Sequence, residues 1–527
     1  MSLILRNLTL HPGDDEGTLR HLAAQTCGLP SDALQCFRIL RKGVDARKKP
    51  RVLLVYTVSF RLDDEAGFLR QRPPIPYLEQ SPAELPLTFL PRQTDGPVVI
   101  VGMGPAGLFC ALRLAAHGIP ATLLERGRPV EERVRDVARF WQHGLLDTGS
   151  NVQFGEGGAG TFSDGKLTCR LRDPNSSWVL EQLVQHGAPP EIRYQAKPHL
   201  GTDRLRAVVA AIRQQLLDRG CQLRFGAALT GLASSSGRVT AALCAERDEL
   251  PCRHLVLAIG HSARDTYAML ARQGIAMVPK PFAIGLRVEH PQSLIDRIQY
   301  GHPHPALPRA DYALTFNNEV TGRSCYSFCM CPGGVVIAGS SEADTVVTNG
   351  MSNLMRDSGL ANSALVVNIR TDDLDGNDPL AGVRFQQQWE RRAFEAGGGA
   401  YHAPAQNLLA FLGRGGGAFR SSYRPGTVEN DLATLLPGYV VNTIQEGIIS
   451  FERKMRGFLT AEATLTGVET RTSAPLRILR GDDCQSTDLR GIYPCGEGAG
   501  YAGGIMSAAL DGVRVADLIA AQSGRAC

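Results

Sequence analysis

The sequence predicts an α/β protein. A parallel-sheet unit is interrupted by an inserted mixed-sheet region and preceded by a small α+β module. Three observations carry this reading. From Pro97 onward strands and helices alternate, the pattern of a parallel sheet covered by helices. From about residue 281 to 450 the pattern changes to short alternating runs broken by Gly/Pro turns. The first ninety residues carry their own order of strand, helix, strand, strand ahead of a proline-rich stretch. The expected divisions are 1–90, 96–280, 281–450 and 451–527.

The whole chain supports such a division. Its 527 residues are 43% hydrophobic and 20% charged, enough for two or three cores in a globular protein. A net charge of +4 is too small for nucleic acid to bind over the whole surface. The stretch "MSLILRNLTLHPGDDEG" has no basic segment leading into a long apolar core. The most apolar long window, Val98–Ala116, is broken by Gly102, Gly104, Pro105, Gly107 and Arg113, so no membrane span is expected. Thirteen scattered cysteines fit reduced thiols in the cytoplasm rather than a disulfide framework.

In the N-terminal module "LILRNLTL" alternates like a strand, and "EGTLRHLAAQTCGL" is spaced like a helix that stops at Gly28. "CFRILRKGVDARKKPRVLLVYTVSFRL" reads as two strands around a basic turn, giving a ferredoxin-like α+β order. That turn carries Arg41, Lys42, Arg47, Lys48, Lys49 and Arg51. A solvated hairpin tip is the expectation, and a docking patch for an acidic partner the alternative. "RPPIPYLEQSPAELP" reads as a linker.

"PVVIVGMGPAGLFCALRLAAHGIPATLLERG" carries the strongest local signal. A buried strand, Val98–Val101, runs into Gly102, Gly104 and Gly107, then a helix beginning at Pro105 and Ala106, then a second strand ending at Glu125 and Arg126. This is the Rossmann-type dinucleotide pattern. Gly102 permits the tight turn, Gly104 a close approach to pyrophosphate, and Gly107 close packing of helix on strand. The helix N-terminus offers N–H groups to the phosphates. Glu125 is expected to accept hydrogen bonds from the adenosine ribose. The motif alone does not separate FAD from NAD.

Further stretches point to FAD. "CRHLVLAIGHSARDT" is a strand, Leu255–Ile259, running into Gly260, and "NVQFGEGGAGTFSDGKL" is a Gly-rich loop. "DLRGIYPCGEGAGYAGGIMSAALDGVRVADLIA" is a strand, a Gly-rich turn and a terminal helix. Together they resemble the two-dinucleotide-binding-domain flavoproteins of the glutathione-reductase and fumarate-reductase type. The resemblance places Glu497, after Gly496, where an acid holds the ribityl chain or phosphates. It aims the helix after Gly503, Gly504 and Ile505 at the flavin pyrimidine, where its positive end stabilises a reduced flavin. With "KPHLGTDRL", "FCMCPGG" and "GVETRTSAPLRI" added, the chain resembles the uncharacterised FAD-dependent dehydrogenase family with an extra N-terminal module. That family implies flavin-dependent redox activity without a substrate. "FLGRGGGAFR" lacks the strand and acid of a second dinucleotide motif. NAD(P)H is therefore expected at most as a transient donor in the cleft.

Candidate site residues follow. Among the glycines of the 151–167 loop, including Gly157, Gly158 and Gly165, stand Thr161, Ser163, Asp164 and Lys166. They are expected to line the isoalloxazine, with Lys166 near N5. Arg471 is placed to bind an anionic substrate, or to pair with Glu469 or another acid. Thr202 or Asp203 is expected to cap a helix, with His199 a structural or surface residue. "GHPHP" holds two histidines without a further nearby ligand, so no metal is expected.

"SCYSFCMCPGG" puts Cys325, Cys329 and Cys331 within seven residues. Strand alternation places all three on one face, and "VVIAGS" is expected to return as the partner of a hairpin. Same-face neighbours stand roughly 6.5–7 Å apart, which disfavours a disulfide. Free cysteine packs as a small hydrophobe, the expected state of the cluster. Cys331, just before the turn, is the member placed to act as a flavin-facing redox or nucleophilic thiol.

The expected function is an FAD-dependent oxidoreductase passing hydride or electrons through flavin N5, with a small molecule or a redox protein as substrate. The rivals are an NAD(P)H-dependent flavin reductase, a tRNA-modifying flavoprotein with RNA on the basic hairpin, and a flavin-stabilised binding protein without turnover.

Overall fold

The computed structural model describes residues 2–71, 74–81, 89–169, 173–245, 248–302, 304–376 and 378–522. Its first sheet holds four antiparallel strands in the spatial order Gln35–Lys48, Arg51–Arg61, Ser2–Leu10, Leu78–Ser81. Helices Thr18–Cys27 and Glu65–Gln71 complete a split β-α-β arrangement, as in ferredoxin-like folds. Leu3, Leu5, Leu19, Tyr56, Val58 and Phe60 fill its core. The helix Thr18–Cys27 stops at Gly28, whose left-handed φ of 60° lets its N–H reach back to the last carbonyls.

Two expectations change here. The hairpin tip is basic but tighter than expected: Lys48 and Arg51 flank the two-residue turn Lys49–Pro50, while Arg41, Lys42 and Arg47 lie within the 14-residue edge strand. Cross-strand pairing with Arg51–Arg61 extends through this run despite its charge, because an edge strand keeps such side chains in water. The stretch expected as linker supplies the fourth strand, Leu78–Ser81; residues 72–73 and 82–88 lie outside the described residues.

The second sheet is wholly parallel, in the order Ile492–Pro494, His254–Leu257, Val98–Val101, Thr122–Glu125, Gln222–Phe225. The strand His254–Leu257 stops two residues before the expected Ile259. Helices Pro105–Ala116 and Ile505–Gln522 pack on one face so closely that a Cβ on Gly512 would stand 2.1 Å from the Ala106 carbonyl oxygen.

Between these strands lies a seven-stranded mixed sheet. Its order is Thr315–Asn317, Ser324–Cys331, Leu360–Ile369, Phe282–Pro291, Thr464–Glu469, Ala403–Asn407, Thr427–Glu429. Helix Gly438–Lys454 covers one face with Val440, Ile444, Ile448 and Phe451. The sheet includes Thr464–Glu469, so this region runs past residue 450.

The cysteine segment departs from simple alternation. Ser324–Cys331 pairs with Leu360–Ile369, while Val335–Ala338 pairs instead with Thr348–Met351, so the two do not form a hairpin. Phe328 faces Ala364 and Cys331 faces Asn362, leaving an extra residue on the cysteine strand. This β-bulge is made with Cys329 at φ 43°. Cys325 and Cys331 are consequently buried and Cys329 is exposed.

Candidate functional site

The C-terminal ends of the parallel strands converge on one cleft, the place where open α/β sheets take ligands. At the Val98–Val101 strand, Gly102 turns at φ 101°. A Cβ on Gly107 would lie 1.9 Å from the Gly102 carbonyl oxygen, so only glycine lets the following helix start this close to the strand. The first N–H groups of that helix have no intrahelical acceptor and face the cleft end.

The Gly-rich loop lies directly against this turn. A Cβ on Gly158 would stand 2.9 Å from the Gly104 Cα, and one on Gly160 would stand 3.2 Å from a side-chain carbon of Ile505. Three expected cofactor segments, far apart in sequence, are thereby brought together. Gly503 and Gly504 are exposed, and a Cβ on either meets nothing within 4 Å. The C-terminal helix therefore opens its positive end into free space. Gly260, at φ 71°, sits against the Gly498 backbone, and Tyr267 ties the two by donating to the Gly498 carbonyl at 2.7 Å. Glu497 is half-buried next to this junction, and burial, opposed by Lys280, pushes its carboxyl up to about 7.

Arg133, which sequence reasoning missed, organises the loop. Fully buried, it donates to the carbonyls of Asn151, Val152, Glu156 and Gly158 at 2.7 to 2.9 Å. Its position in "VEERVRDVARF" reads as one charge on an amphipathic helix, and nothing local marks it as buried. Thr161 and Ser163 also serve the loop: Thr161 donates to the Glu156 carbonyl, and Ser163 joins the Gly160 carbonyl to the Gly165 N–H.

Glu125 stands at the end of its strand as the motif requires, but its carboxylate is turned inward. It is 5% exposed and accepts from the backbone N–H groups of Met103, Gly127 and Gly155 at 2.9 to 3.0 Å. It joins the dinucleotide turn to the Gly-rich loop. Arg126 stacks on Phe154 at 4.3 Å and donates to Asp265 and Thr266.

The two residues proposed for chemistry meet. Lys166 Nζ lies 3.9 Å from Cys331 Sγ and 2.9 Å from Asp164 Oδ2. Burial alone would raise the Asp164 carboxyl, yet Lys166 and Arg356 hold it down to about 2. Arg356 donates to both Asp164 oxygens, at 2.6 and 3.1 Å. Burial would favour a neutral Lys166 amine, but the Asp164 carboxylate beside it favours the ammonium. Burial keeps Cys331 a thiol against the pull of Lys166, and its Sγ–H points to the Cys329 carbonyl at 3.2 Å. Cys329 keeps exposed surface, and burial, opposed by Lys166, raises its thiol to about 11. The side chain of Lys166 is likewise one-third exposed, at 33%.

Arg471 is a correction. Only 3% of its side chain is exposed, and it is held by Glu390 rather than by Glu469, whose partner is Arg287. Four of its five N–H groups donate to Glu390, Ser262 and Ser341, and its burial keeps it from serving as an open anion-binding residue. Neither Thr202 nor Asp203 caps its helix; Leu200 stands at that position, and Asp203 instead accepts from the Leu354 N–H. His199 Nε2 lies 3.0 Å from the Leu354 carbonyl. Among the described residues no group of three or more His, Cys, Asp or Glu is placed to hold a metal, and no helix is long and apolar enough to cross a membrane. Away from the cleft, an open depression of 590 Å³ runs along the basic edge strand by Arg47, Lys49 and Gln299; none of the cleft side chains enters it.

Residues 281–472 match the family described as FAD-dependent protein, C-terminal domain-like, and residues 3–61 match a domain of unknown function. An uncharacterized protein of Clostridium beijerinckii is 43% identical over 527 residues, covering 98% of each chain. Among solved structures, quinol fumarate reductase of E. coli aligns over 82% of this chain and 71% of its own, at 11% identity and TM-score 0.37. A flavin-dependent brominase aligns over 81% and 79%, at 12% identity and TM-score 0.36. The chain therefore belongs to one family with the Clostridium beijerinckii protein, and it carries the FAD-dependent protein C-terminal domain over residues 281–472.

Proposed function

We propose that the protein is an FAD-dependent oxidoreductase of the dehydrogenase kind, acting on a small molecule or a redox protein. The observation that carries this is the meeting of the Gly102–Gly107 turn, the Gly-rich loop and the open start of the C-terminal helix at the ends of the parallel strands. The residues fit the cofactor: Gly104 and Gly158 leave backbone-only walls, and exposed Gly503 and Gly504 leave room at the helix end. Bound FAD supplies the hydride or electron transfer at N5.

The chain's own residues position and tune. The turn and helix N-terminus would bind pyrophosphate, Glu497 would hold the ribityl chain or phosphates, and the C-terminal helix would favour negative charge on the flavin pyrimidine. Lys166, held as an ammonium by Asp164, places a positive charge beside the Cys331 thiol, which is the group able to hold or pass a proton there. The test is to purify the protein, identify the released flavin, and screen NADH, NADPH and candidate metabolites for anaerobic bleaching. Stoichiometric FAD that a substrate or nicotinamide reduces is the expected result. A protein without flavin, or a flavin that nothing reduces, overturns the proposal.

A further inference from the structure

Beside the cleft, segments far apart in the chain meet around one carboxylate. Glu390, fully buried on helix Ala381–Ala396, accepts from Arg264 at 2.8 and 2.8 Å, from Arg471 at 2.9 and 3.1 Å, and from Thr470 at 2.7 Å. Arg471 continues outward, donating to Ser341 Oγ at 2.6 Å and to Ser262 Oγ at 3.1 Å. Ser262 Oγ lies 3.0 Å from Nδ1 of His261.

This chain fixes a tautomer. A guanidinium only donates, so Ser262 Oγ is the acceptor toward Arg471 and retains its own proton to give. Nδ1 of His261 is the atom placed to receive it, which leaves the ring proton on Nε2. The other tautomer would direct two donors at Ser262 and leave the hydroxyl proton without a partner in the network. Burial, then Arg471 and Arg264, push the imidazole down to about 3, so it stays uncharged. His261 follows Gly260 at the end of the His254–Leu257 strand and keeps accessible surface. Among the described residues, Ser262 is the side chain bonded to the ring, and the backbone of His261 itself is its other partner. Ser341, Glu390 and Arg471, which hold it, all come from the mixed-sheet side of the cleft, not from the dinucleotide turn.

We propose that His261 is an uncharged hydrogen-bond donor of the cleft, its Nε2–H offered to a carbonyl or carboxylate oxygen of the substrate, with Ser262 and Arg471 as the positioning residues that set its tautomer. The ligand half rests on reading the cleft as a flavin active site; the tautomer half does not.

The test uses the full-length protein labelled with ¹⁵N-histidine. The His261 ring signal, assigned by its loss in His261→Gln, is expected to show the Nε2–H form unchanged from about pH 5 to 8, a range in which an ordinary histidine titrates. Ser262→Ala is expected to mix the tautomers. Acetate is then titrated into the holoprotein while flavin absorbance is followed. Its apparent Kd is expected to rise about tenfold or more in His261→Phe at unchanged FAD content, a loss of about 1.4 kcal/mol. His261→Asn, which keeps an N–H donor, is expected to recover part of that loss. An Nδ1–H ring, a ring that titrates near neutrality, no acetate response in the wild type, or equal acetate binding in His261→Phe overturns the proposal. Loss of FAD in step with acetate assigns the donor to the cofactor and overturns the substrate role. A protein that purifies without flavin sinks the oxidoreductase reading, while the ring tautomer still decides this one.

Discussion

Gly104→Ala separates cofactor binding from folding. Gly104 sits at φ −75° and ψ −177°, extended backbone open to any residue, and its new Cβ would meet only the Gly158 Cα, at 3.8 Å. Replacing glycine by alanine at a helix N-cap costs up to about 1 kcal/mol, and the stiffer unfolded chain returns about 0.4–1 kcal/mol. Apo-protein stability is therefore expected to hold within about 1 kcal/mol. The methyl group stands where a pyrophosphate must approach the backbone. Lengthening one hydrogen bond to a charged phosphate costs about 1.5–3 kcal/mol. That weakens FAD by about 10- to 150-fold. Flavin-fluorescence quenching on titrating FAD into the apoprotein measures the affinity, and urea unfolding of the apoprotein measures the fold. Wild-type FAD affinity in a folded Gly104→Ala protein would refute the cradle. Gly107→Ala is the contrast: its Cβ at 1.9 Å from the Gly102 oxygen should damage the fold itself.

Three further outcomes follow from the site. Lys166→Met and Cys331→Ser should each slow anaerobic flavin reduction by about 10- to 100-fold, measured by stopped flow; an unchanged rate in both removes the pair from the chemistry. Glu390→Gln leaves two buried guanidinium groups without their fully buried acid and should cost about 3–5 kcal/mol in urea unfolding, whereas a loss under about 1 kcal/mol would show the network to be dispensable. Glu497, raised to about 7 from 4.5, holds a proton when folded that the unfolded chain releases, so its contribution to stability is fully present below 4.5 and lost as pH rises through about 7. Glu497→Gln should flatten that part of the pH–stability curve, and an unaltered slope would place the titration elsewhere.

What the sequence reveals is mostly what local physics decides. The dinucleotide unit is legible because strand, turn glycines and helix start are set within thirty residues, and Val98–Val101, Pro105–Ala116 and Thr122–Glu125 all form as read. Glu125 shows the limit: its position is local, but its partner at Gly155 belongs to a loop whose path Arg133 dictates from inside. Arg471 shows it again. The acid that claims it, Glu390, lies 81 residues away on a helix with no motif to announce it.

The cysteine segment makes the same point with consequences for chemistry. Alternation puts Cys325 and Cys331 on one face only if the strand is regular. The partner strand Leu360–Ile369 is two residues long where the cysteine strand is three, and the surplus is absorbed at Cys329. Room for the re-aimed thiol comes from Gly350, where a Cβ would lie 2.8 Å from Cys331 Sγ. The bulge therefore separates Cys325, which packs in the mixed-sheet core beneath Gly447, from Cys331, which is turned to Lys166. A bulge beside a reactive site is a common way to re-aim one side chain without moving a sheet. Here it divides three similar cysteines into a core residue, an exposed residue and a partner for the lysine.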